Sequence, residues 1–521
     1  MKLLTRWFSH FDPIPEGPYP PVYEFATSGW KANGGTLDSE LAILDGSTGL
    51  RRTFADQHLT TTSLASALIG LGLEESDCVA LYCPNHVDYL PATLAVSMTG
   101  AKLTPINPLY TVHELSVVLD RSISRVLITH INLKDNALEA AQKSNSIEHV
   151  IVITDGKAAP EGTLNFDGLV KDGEANTIYG TIESVHGKTD SHTFVLPYSS
   201  GTTGLPKGVS LSHSNLVANL LQYEIGEKFV GGNTIISPLP FFHIYGFLAS
   251  LLYSTYKGHT LITTSGRFDL ERFCQLVEEH KPTKAHLVPP IILGLAKSPI
   301  VDKYDCKSIE VITSAAAPMG TETEKAVGDR LGCVVKQAWG MSELSPLGTL
   351  NQDHAPRSGS VGNLVSSTVG KIIDPEGNSL PPFQSGELLI KGPQVMMGYF
   401  NDEEKTTECL SESGWLRTGD VAHYDEDGYF FITDRIKELI KVRGYQVAPA
   451  ELEALLLTHE SVADAAVIQI EDEHSGELPR AYVVLKPGEE TSEEDIYEWI
   501  KERVAPYKRL DGGIVFVDTV P

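Results

Sequence analysis

A regular alternation of strand-like and helix-like segments limits the folds open to this chain. Between residues 78 and 153, short apolar runs typical of buried strands alternate with longer segments that have helical periodicity. The strand segments are Cys78–Tyr82, Val126–Thr129 and Val150–Ile153, and the helical segments are Val87–Met98 and Asp135–Lys143. Such alternation predicts parallel sheets that are covered by helices.

The same alternation returns later in the chain and then gives way to a different pattern. Residues 261–263, 286–288 and 309–312 read as strands, residues 269–279 as a helix, and Phe247–Tyr253 as a buried helix. After about Gly370 the strands are shorter and separated by Gly and Pro turns, as at residues 386–390 and 428–432, which predicts a small β-rich subdomain. The final pattern predicts helices at Pro449–Thr458 and Glu493–Val504 and strands at 465–470 and 481–485.

These segments predict an α/β chain with more than one domain, because single cores rarely exceed ~250–300 residues and this chain has 521. We place a boundary at the charged segment 434–438. Residues 1–434 are predicted to form a large domain of parallel-rich sheets flanked by helices, with the small β-rich subdomain. Residues 435–521 are predicted to form a small mobile α+β domain.

Composition and charge exclude several classes of function. The formal net charge of −27 disfavours nucleic acid or an anionic membrane surface as a partner. The N-terminus lacks the apolar core of a signal peptide, and no run approaches the ~20 apolar residues of a membrane span. The six cysteines show no zinc-like spacing, which predicts buried free thiols in a reducing compartment. We therefore expect a soluble cytoplasmic protein of undefined oligomeric state; a peroxisomal location would require a signal beyond Pro521.

A glycine-rich loop between Tyr198 and Gly208 carries the clearest chemical signal. Gly201 and Gly204 allow consecutive backbone amides to turn toward one point, and Lys207 adds a mobile positive charge. Further donors come from the hydroxyls of Ser199, Ser200, Thr202 and Thr203. Pro206 precedes the lysine, so the loop is not a Walker motif. A flexible surface loop is the alternative, but the apolar runs on both sides favour a phosphate-binding turn between two strands.

Four further segments accompany this loop at wide separation. They are Pro240–Gly246, Gln337–Glu343, Gly414–Asp420 and Asp434–Lys437. With the loop, they resemble the ANL superfamily of adenylate-forming enzymes, closest to its 4-coumarate–CoA ligase-like branch, from about Thr53 onward. The resemblance implies ATP, Mg²⁺ and CoA as cofactors and a small carboxylic acid as substrate. It also implies two steps: the acid and ATP form acyl-AMP and pyrophosphate, and the thiol of CoA then displaces AMP.

The resemblance also implies roles for individual residues of the nucleotide site. Ser342 would bind the α-phosphate, Glu343 would hold Mg²⁺, and Trp339 would stack on adenine. Asp420 would accept the ribose hydroxyls with Arg435 beside it. The complete nucleotide set comprises Ser199, Ser200, Gly201, Thr202, Thr203, Gly204, Lys207, Ala316, Ala317, Pro318, Gln337, Ala338, Trp339, Gly340, Ser342, Asp420 and Arg435.

The remaining implied roles concern the acid and the second step. The acyl pocket is assigned to His243, Tyr245, Ala315, Ala338, Pro346 and Leu347, and catalysis to Lys207, His243, Ser342, Glu343, Lys441 and Gln446. Lys437 would be the hinge between two poses of the C-terminal domain. The pocket residues predict an apolar slot for a hydroxycinnamate-like acid or a medium- to long-chain fatty acid.

Each of these residues also has a structural interpretation. Taken alone, Glu343 fits a solvated carboxylate, Trp339 and His243 fit the core, and Asp420 fits a turn. Lys437 and Lys441 fit a solvated charge run. The joint pattern of five motifs in this order favours the functional interpretation.

Two further expectations qualify the predicted activity. Relatives carry a lysine in a Pro-x-x-x-x-Gly-Lys segment near the C-terminus, whereas this sequence stops at Pro521. We expect truncation ahead of that lysine, with weak adenylation by the chain as given; loss of the lysine is the alternative. The alternative functions are a luciferase-like enzyme, a carrier-protein adenylating enzyme, and a catalytically weak acyl-AMP or nucleotide sensor.

Overall fold

The computed structural model of the protein describes residues 7–32, 40–175, 185–199, 206–227, 234–442, 445–472 and 475–520. Within these ranges the strands are β1 (Trp7–Phe8), β2 (Leu41–Asp45), β3 (Arg51–Thr53), β4 (Cys78–Tyr82), β5 (Lys102–Ile106), β6 (Val126–His130), β7 (His149–Ile153), β8 (Leu164–Asn165), β9 (Thr193–Val195), β10 (Tyr198–Ser199), β11 (Lys207–Ser212), β12 (Thr234–Ile236), β13 (Thr260–Thr263), β14 (Lys284–Leu287), β15 (Val311–Ser314), β16 (Val334–Gly340), β17 (Leu347–Leu350), β18 (Asn363–Leu364), β19 (Val369–Ile373), β20 (Gly386–Lys391), β21 (Gly398–Tyr399), β22 (Leu416–Tyr424), β23 (Phe430–Arg435), β24 (Ile440–Val442), β25 (Tyr445–Val447), β26 (Val462–Asp472), β27 (Gly476–Leu485) and β28 (Ile514–Phe516).

The α-helices of the same ranges are α1 (Val22–Ala32), α2 (Phe54–Gly70), α3 (Tyr89–Thr99), α4 (Val112–Ser122), α5 (Lys134–Lys143), α6 (Phe166–Ala175), α7 (His213–Gly226), α8 (Tyr253–Lys257), α9 (Leu270–His280), α10 (Pro289–Lys297), α11 (Thr321–Leu331), α12 (Glu403–Cys409), α13 (Pro449–Leu456) and α14 (Glu493–Lys501). A π-helix, Gly246–Leu252, leads into α8. Capping boxes begin several helices; in α7, Ser212 accepts from the Asn215 N–H and Asn215 accepts from the Ser212 N–H. None of the described helices has both the length and the apolar run needed to cross a bilayer.

Among the described residues the strands form two large sheets and two smaller ones. The first large sheet runs β10-β11-β9-β5-β4-β6-β7-β8, and β21 pairs with β11. The second runs β18-β17-β16-β15-β14-β12-β13-β2-β3. An antiparallel sheet, β1-β19-β20-β22-β23, forms the β-rich unit, and β25-β24-β27-β26 with β28 forms the C-terminal unit. The predicted fold class, large parallel-rich sheets with flanking helices and a β-containing C-terminal unit, is confirmed.

Most predicted elements are present, with shifted ends. The strand predicted at residues 286–288 spans 284–287, and the one at 309–312 spans 311–314. The helix predicted from Val87 begins at Tyr89, because the Tyr89 N–H closes a turn onto the His86 carbonyl. The strand predicted from Gly428 begins at Phe430, since Gly428 lies in a turn with φ 75°. Of the six cysteines, Cys333 and Cys409 are only half-buried, and all six are free thiols.

A carboxylate ties together the carboxyl ends of β4, β6 and β7. Asp155 accepts hydrogen bonds from Nε2 of His86 at 3.0 Å and of His130 at 2.8 Å. Nδ1 of these two rings accepts from the backbone N–H of Asp88 and Asn132, respectively. Both Nε2 atoms therefore carry the proton, and burial lowers the pKa of His130. The cluster is a hydrogen-bonded clip, because metal ligation would require free lone pairs on Nε2.

Candidate active site

One cavity of about 680 Å³ collects most of the predicted site. It lies where the carboxyl ends of β15 and β16 meet β22, β23 and the start of β11, at the sheet edge where α/β proteins bind ligands. The predicted residues that line it are Lys207, His243, Tyr245, Ala315, Ala316, Ala338, Trp339, Gly340, Ser342, Glu343, Pro346, Leu347, Asp420, Arg435 and Lys437.

At one end of the cavity a tryptophan contacts a carboxylate. The Nε1–H of Trp339 donates to Asp420 Oδ2 at 2.9 Å, and Arg435 Nε lies 3.5 Å from Asp420 Oδ1. The register of β22 and β23 pairs Asp420 with Arg435 directly. The indole fits because Gly348 leaves room: a Cβ there would lie 2.5 Å from Trp339 Cζ3. Burial raises the pKa of Asp420 to about 6, although Arg435 and the Trp339 hydrogen bond act in the opposite direction.

A second carboxylate, that of Glu343, lines the same cavity. Glu343 is buried in the short 3₁₀ turn that follows β16, and its Oε1 accepts from the Tyr399 hydroxyl at 2.7 Å. Burial and the charge of Glu343 raise the pKa of Tyr399, so the phenol stays protonated. Lys207 Nζ lies 4.9 Å from the centroid of the Tyr399 ring. Tyr399 thus connects the carboxylate to the lysine of the glycine loop.

The turn that carries Glu343 requires a glycine at its start. A Cβ on Gly340 would lie 2.1 Å from the Pro346 carbonyl oxygen, because the chain returns on itself between these residues. The Met341 N–H donates to that carbonyl at 2.9 Å, and the Ser345 hydroxyl donates to the Gln394 carbonyl at 2.9 Å. These bonds hold Ser342 and Glu343 toward the cavity.

The root of the glycine loop is a two-stranded antiparallel ladder. Tyr198 pairs with Gly208 and Ser199 with Lys207, so β10 and β11 form an antiparallel pair on the two sides of the loop. Arg121 of α4 donates from Nη1 to the Pro206 carbonyl at 2.7 Å and anchors the exit of the loop. The loop residues Ser200, Gly201, Thr202, Thr203 and Gly204, and the Ser199 side chain, lie outside the described part of the chain.

His243 is exposed to the cavity and is not the core histidine of the structural interpretation. Its Nδ1 accepts from the Tyr245 N–H at 3.2 Å. In the neutral ring the proton therefore lies on Nε2.

The part of this cavity that is predicted to take the acid, which we call the acyl slot, lies between the second large sheet and α7. Its walls include Ala315, Ala338 and Leu248, which are apolar as predicted. Its inner end is not apolar: the buried hydroxyl-bearing residues Tyr223, Tyr245 and Thr313 line it. The prediction of an apolar slot is therefore wrong at the inner end, where helix α7 contributes a residue that none of the motifs contained.

Beyond the slot lies a buried cluster of four charged side chains, which we call the ionic quartet: Glu227, Lys284, Lys336 and Asp353. Lys284 pairs with Glu227, and Lys336 Nζ lies 2.5 Å from Asp353 Oδ1 and 3.4 Å from Glu227 Oε1. Lys284 and Lys336 precede His286 and Ala338, respectively, by two residues. Each lysine therefore lies on the same face of the sheet as the residue two positions later. Burial would raise the pKa of Glu227, but the two lysines outweigh it and lower that pKa.

Several predicted residues lie away from the cavity wall. Ala317 and Pro318 are exposed beside Ala316. Gln337 is buried, and its Nε2 donates to Glu324 Oε2 at 2.9 Å. Lys441 lies in a separate cleft, where its N–H donates to Glu477 Oε2 at 2.6 Å. The Gln446 side chain lies outside the described residues.

Sequence reasoning missed several residues of the cavity wall, notably Tyr198, Tyr223, Tyr399 and Cys409. Tyr198 opens the glycine loop, so its position was a usable signal. Tyr399 and Tyr223 lie in segments without a chemical motif, and only the pairing of β21 with β11 and the packing of α7 bring them to the site.

Comparison with known proteins supports the resemblance. The chain matches the family described as AMP-binding enzyme over residues 35–400, and AMP-binding enzyme C-terminal domain over residues 451–521. It is 39% identical to 4-coumarate–CoA ligase 2 of Petroselinum crispum over 490 residues, covering 92% of this chain and 88% of that protein.

Two solved structures share the architecture. ATP-bound MatB from Rhodopseudomonas palustris superposes with a TM-score of 0.83 at 27% identity, over 95% of each chain. An anthranilate–CoA ligase in complex with anthranoyl-AMP superposes with a TM-score of 0.87 over 97% of this chain and 95% of that one. At 23% identity, this match supports the shared fold alone. From its motifs, its fold and these matches, the chain belongs to the AMP-binding enzyme family, within the ANL superfamily of adenylate-forming enzymes.

Proposed function

We propose that the protein is an ATP-dependent acid–CoA ligase that acts on an aromatic, hydroxycinnamate-like carboxylic acid. One observation carries the proposal: a single cavity joins Lys207, Glu343 and Asp420 to a slot beneath Ala315 and Ala338. A nucleotide that spans the polar part would place its α-phosphate at the mouth of that slot. Adenylation needs this arrangement, because the attacking carboxylate must meet the α-phosphate in line.

The nucleotide would bind through its ribose and base at the Asp420 end. An ionised Asp420 accepts hydrogen bonds from the ribose hydroxyls, and exposed Arg435 lies beside it. Trp339 offers an aromatic face to adenine while its Nε1–H keeps the carboxylate oriented.

The phosphates would lie between Lys207, Ser342 and Glu343. Lys207 contributes positive charge in a protein of net charge −27, and the Ser342 hydroxyl contributes a donor toward the α-phosphate. The donor set fits Mg²⁺, because Glu343 offers hard carboxylate oxygens in a buried position beside the phosphate path. When bound there, Mg²⁺ neutralises charge on the phosphate oxygens. Tyr399 orients Glu343 through its hydrogen bond.

The dimensions of the slot favour an aromatic acid over a long fatty acid. In β15 and directly after it, Thr313 and Ala315 line the cavity and Val311 does not; on β16, Ala338 lines it and Lys336 does not. One such step of two residues measures roughly 6.6 Å along a parallel strand, which accommodates one ring. The ionic quartet lies in the direction that a longer chain would have to take.

Two assays test the proposal, one for each half-reaction. Acid-dependent exchange of pyrophosphate into ATP reports adenylation, and thioester formation from preformed acyl-AMP and CoA reports the second step. Both are expected to respond to aromatic acids, with hexadecanoate as the matched aliphatic comparison. The proposal is overturned if neither assay responds to any aromatic acid, or if hexadecanoate exceeds all of them.

A pH profile tests the assignment of Asp420 to the ribose. Its pKa of about 6 means that Asp420 is ionised above this pH and protonated below it. Only the ionised form accepts from both ribose hydroxyls, so affinity falls as pH drops through 6, by up to about tenfold per pH unit. Adenosine is a suitable probe because it does not titrate between pH 5 and 8. Calorimetry should show this decline for the unmodified protein and a flat, weaker profile for Asp420→Asn; equal profiles would contradict the assignment.

A further inference from the structure

The first helix of the C-terminal unit is capped by a side chain from outside that unit. Ala448 precedes α13 and provides no side-chain cap, and Pro449 at the first helical position has no N–H. The next N–H, that of Ala450, donates to Asp434 Oδ2 at 3.2 Å. Asp434 lies on β23, in what we call the large unit, the three sheets formed by β1–β23. Its carboxylate satisfies a donor that the helix itself leaves unbonded and lies at the positive end of the helix dipole.

The same carboxylate fixes the backbone beside the predicted ribose site. Asp434 is only 6% exposed, and its Oδ1 accepts from the Arg435 N–H at 2.7 Å. Arg435 in turn pairs with Asp420 in the register of β22 and β23. One buried side chain therefore bonds the strand that carries Arg435 and the helix that follows the predicted hinge at Lys437.

The two units adopt a pose in which the nucleotide end of the cavity is complete. Arg435 and Lys437 line the cavity together with Asp420. Lys441, which is predicted to act in catalysis, lies in a separate cleft. This pose matches the first half-reaction, in which ATP must be held.

The cap depends on this pose. The helix α13 also approaches the large unit at a second point, because a Cβ on Gly320 would lie 4.0 Å from the Ala454 Cβ. Rotation of the C-terminal unit about Lys437 would move α13 away from β23 and break the bond between Asp434 and Ala450. The Ala450 N–H would then require another partner, so the bond favours the pose that the structure shows.

We propose that Asp434 is a positioning residue, which holds the C-terminal unit in the adenylating pose by capping α13 across the hinge. The inference rests on the proposed function, because it requires two half-reactions. Release of the cap accompanies the movement that brings Lys441 toward the cavity.

The test measures the two half-reactions separately in Asp434→Ala. Acid-dependent exchange of pyrophosphate into ATP is expected to fall about tenfold, because the loss of a helix cap depopulates the adenylating pose. Thioester formation from preformed acyl-AMP and CoA is not expected to fall, because it does not use the capped pose. A residue with a merely structural role would lower both rates together.

Two further variants sharpen this comparison. Ser492→Ala is the matched control: it removes the cap of α14, where the Ser492 hydroxyl accepts from the Asp495 N–H at 3.1 Å within the C-terminal unit. The ratio of the two rates should not change in this variant. Asp434→Asn keeps an acceptor oxygen without the charge and should shift the ratio in the same direction by less. It carries the test if Asp434→Ala does not fold.

Hydrogen exchange tests the cap without catalysis. The Ala450 amide, resolved by mass spectrometry with electron-transfer fragmentation, should exchange about tenfold faster in Asp434→Ala than in the unmodified protein. In Ser492→Ala its exchange should be unchanged.

Four results overturn the inference. Proportionate losses in both half-reactions of Asp434→Ala would mean that the residue acts structurally. The same change of ratio in Ser492→Ala would mean that any lost cap produces it. Unchanged exchange of the Ala450 amide in Asp434→Ala would remove the cap itself. These three leave the proposed function standing, whereas absence of both half-reactions with every aromatic acid in the unmodified protein would overturn both.

Discussion

Glu343→Gln is expected to lower kcat/KM for ATP about 10²–10³-fold. The substitution keeps the shape and removes the carboxylate charge beside the phosphate path, where Glu343 is 7% exposed. A metal that neutralises phosphate charge contributes several kcal/mol to the transition state, and each 1.36 kcal/mol changes the rate tenfold. Steady-state kinetics over a range of Mg²⁺ concentrations measures the effect, and the variant should require much more Mg²⁺ for half-maximal rate.

Binding and a milder variant separate this role from a structural one. Metal-free ATP should bind Glu343→Gln about as well as it binds the unmodified protein, because the loss concerns the metal. Tyr399→Phe removes only the hydrogen bond to Glu343 Oε1 and should lower kcat/KM for ATP about tenfold. An unchanged Mg²⁺ requirement in Glu343→Gln would remove Glu343 from the metal site.

Lys336→Met is expected to reduce the free energy of unfolding by about 3–5 kcal/mol. The change removes one positive charge from the ionic quartet and leaves Asp353 without the ammonium 2.5 Å away. An uncompensated charge in a buried site is much more costly than the loss of an exposed ion pair. Urea unfolding monitored by fluorescence measures the difference, with ligands absent.

Two further variants provide the controls. Lys336→Met combined with Asp353→Leu removes a complete ion pair and leaves Lys284 paired with Glu227. The double substitution should therefore reduce the free energy of unfolding by less than Lys336→Met alone. Lys143→Met removes an exposed ion pair to Glu139 and should reduce the free energy of unfolding by less than about 0.5 kcal/mol. A loss no larger for Lys336 than for Lys143 would show that the quartet is effectively solvated.

The quartet also explains where strand prediction failed. The apolar run Cys78–Tyr82 predicted β4 with both ends correct, and all five residues of this strand are buried. The predicted strand 286–288 begins two residues later than β14, because the charged Lys284 does not fit the apolar pattern of a buried strand. A charge inside a sheet becomes predictable only when its partner is known, and Glu227 and Asp353 lie more than 50 residues from Lys284.

The residues of the candidate site divide in the same way, into those that short motifs predict and those whose position only the folded structure decides. Motif residues such as Trp339, Glu343 and Asp420 were predicted because their chemistry is concentrated in short segments. Gln337 belongs to such a segment, yet alternation along β16 directs it away from the cavity toward Glu324. The predicted boundary at residues 434/435 and the roles of Lys437, Lys441 and Gln446 remain predictions.

The sequence by itself determined the α/β class, the family and the nucleotide motifs, because periodicity and short-range chemistry are written in contiguous residues. Tertiary structure alone decided the character of the acyl slot. Its inner end depends on Tyr223 from α7, His286 from β14 and Ser250 from a π-helix, which no local pattern connects. Hydrogen bonds between elements this far apart in the chain exist only once the sheet and its helix have packed, and they turned a predicted apolar slot into one with a polar end.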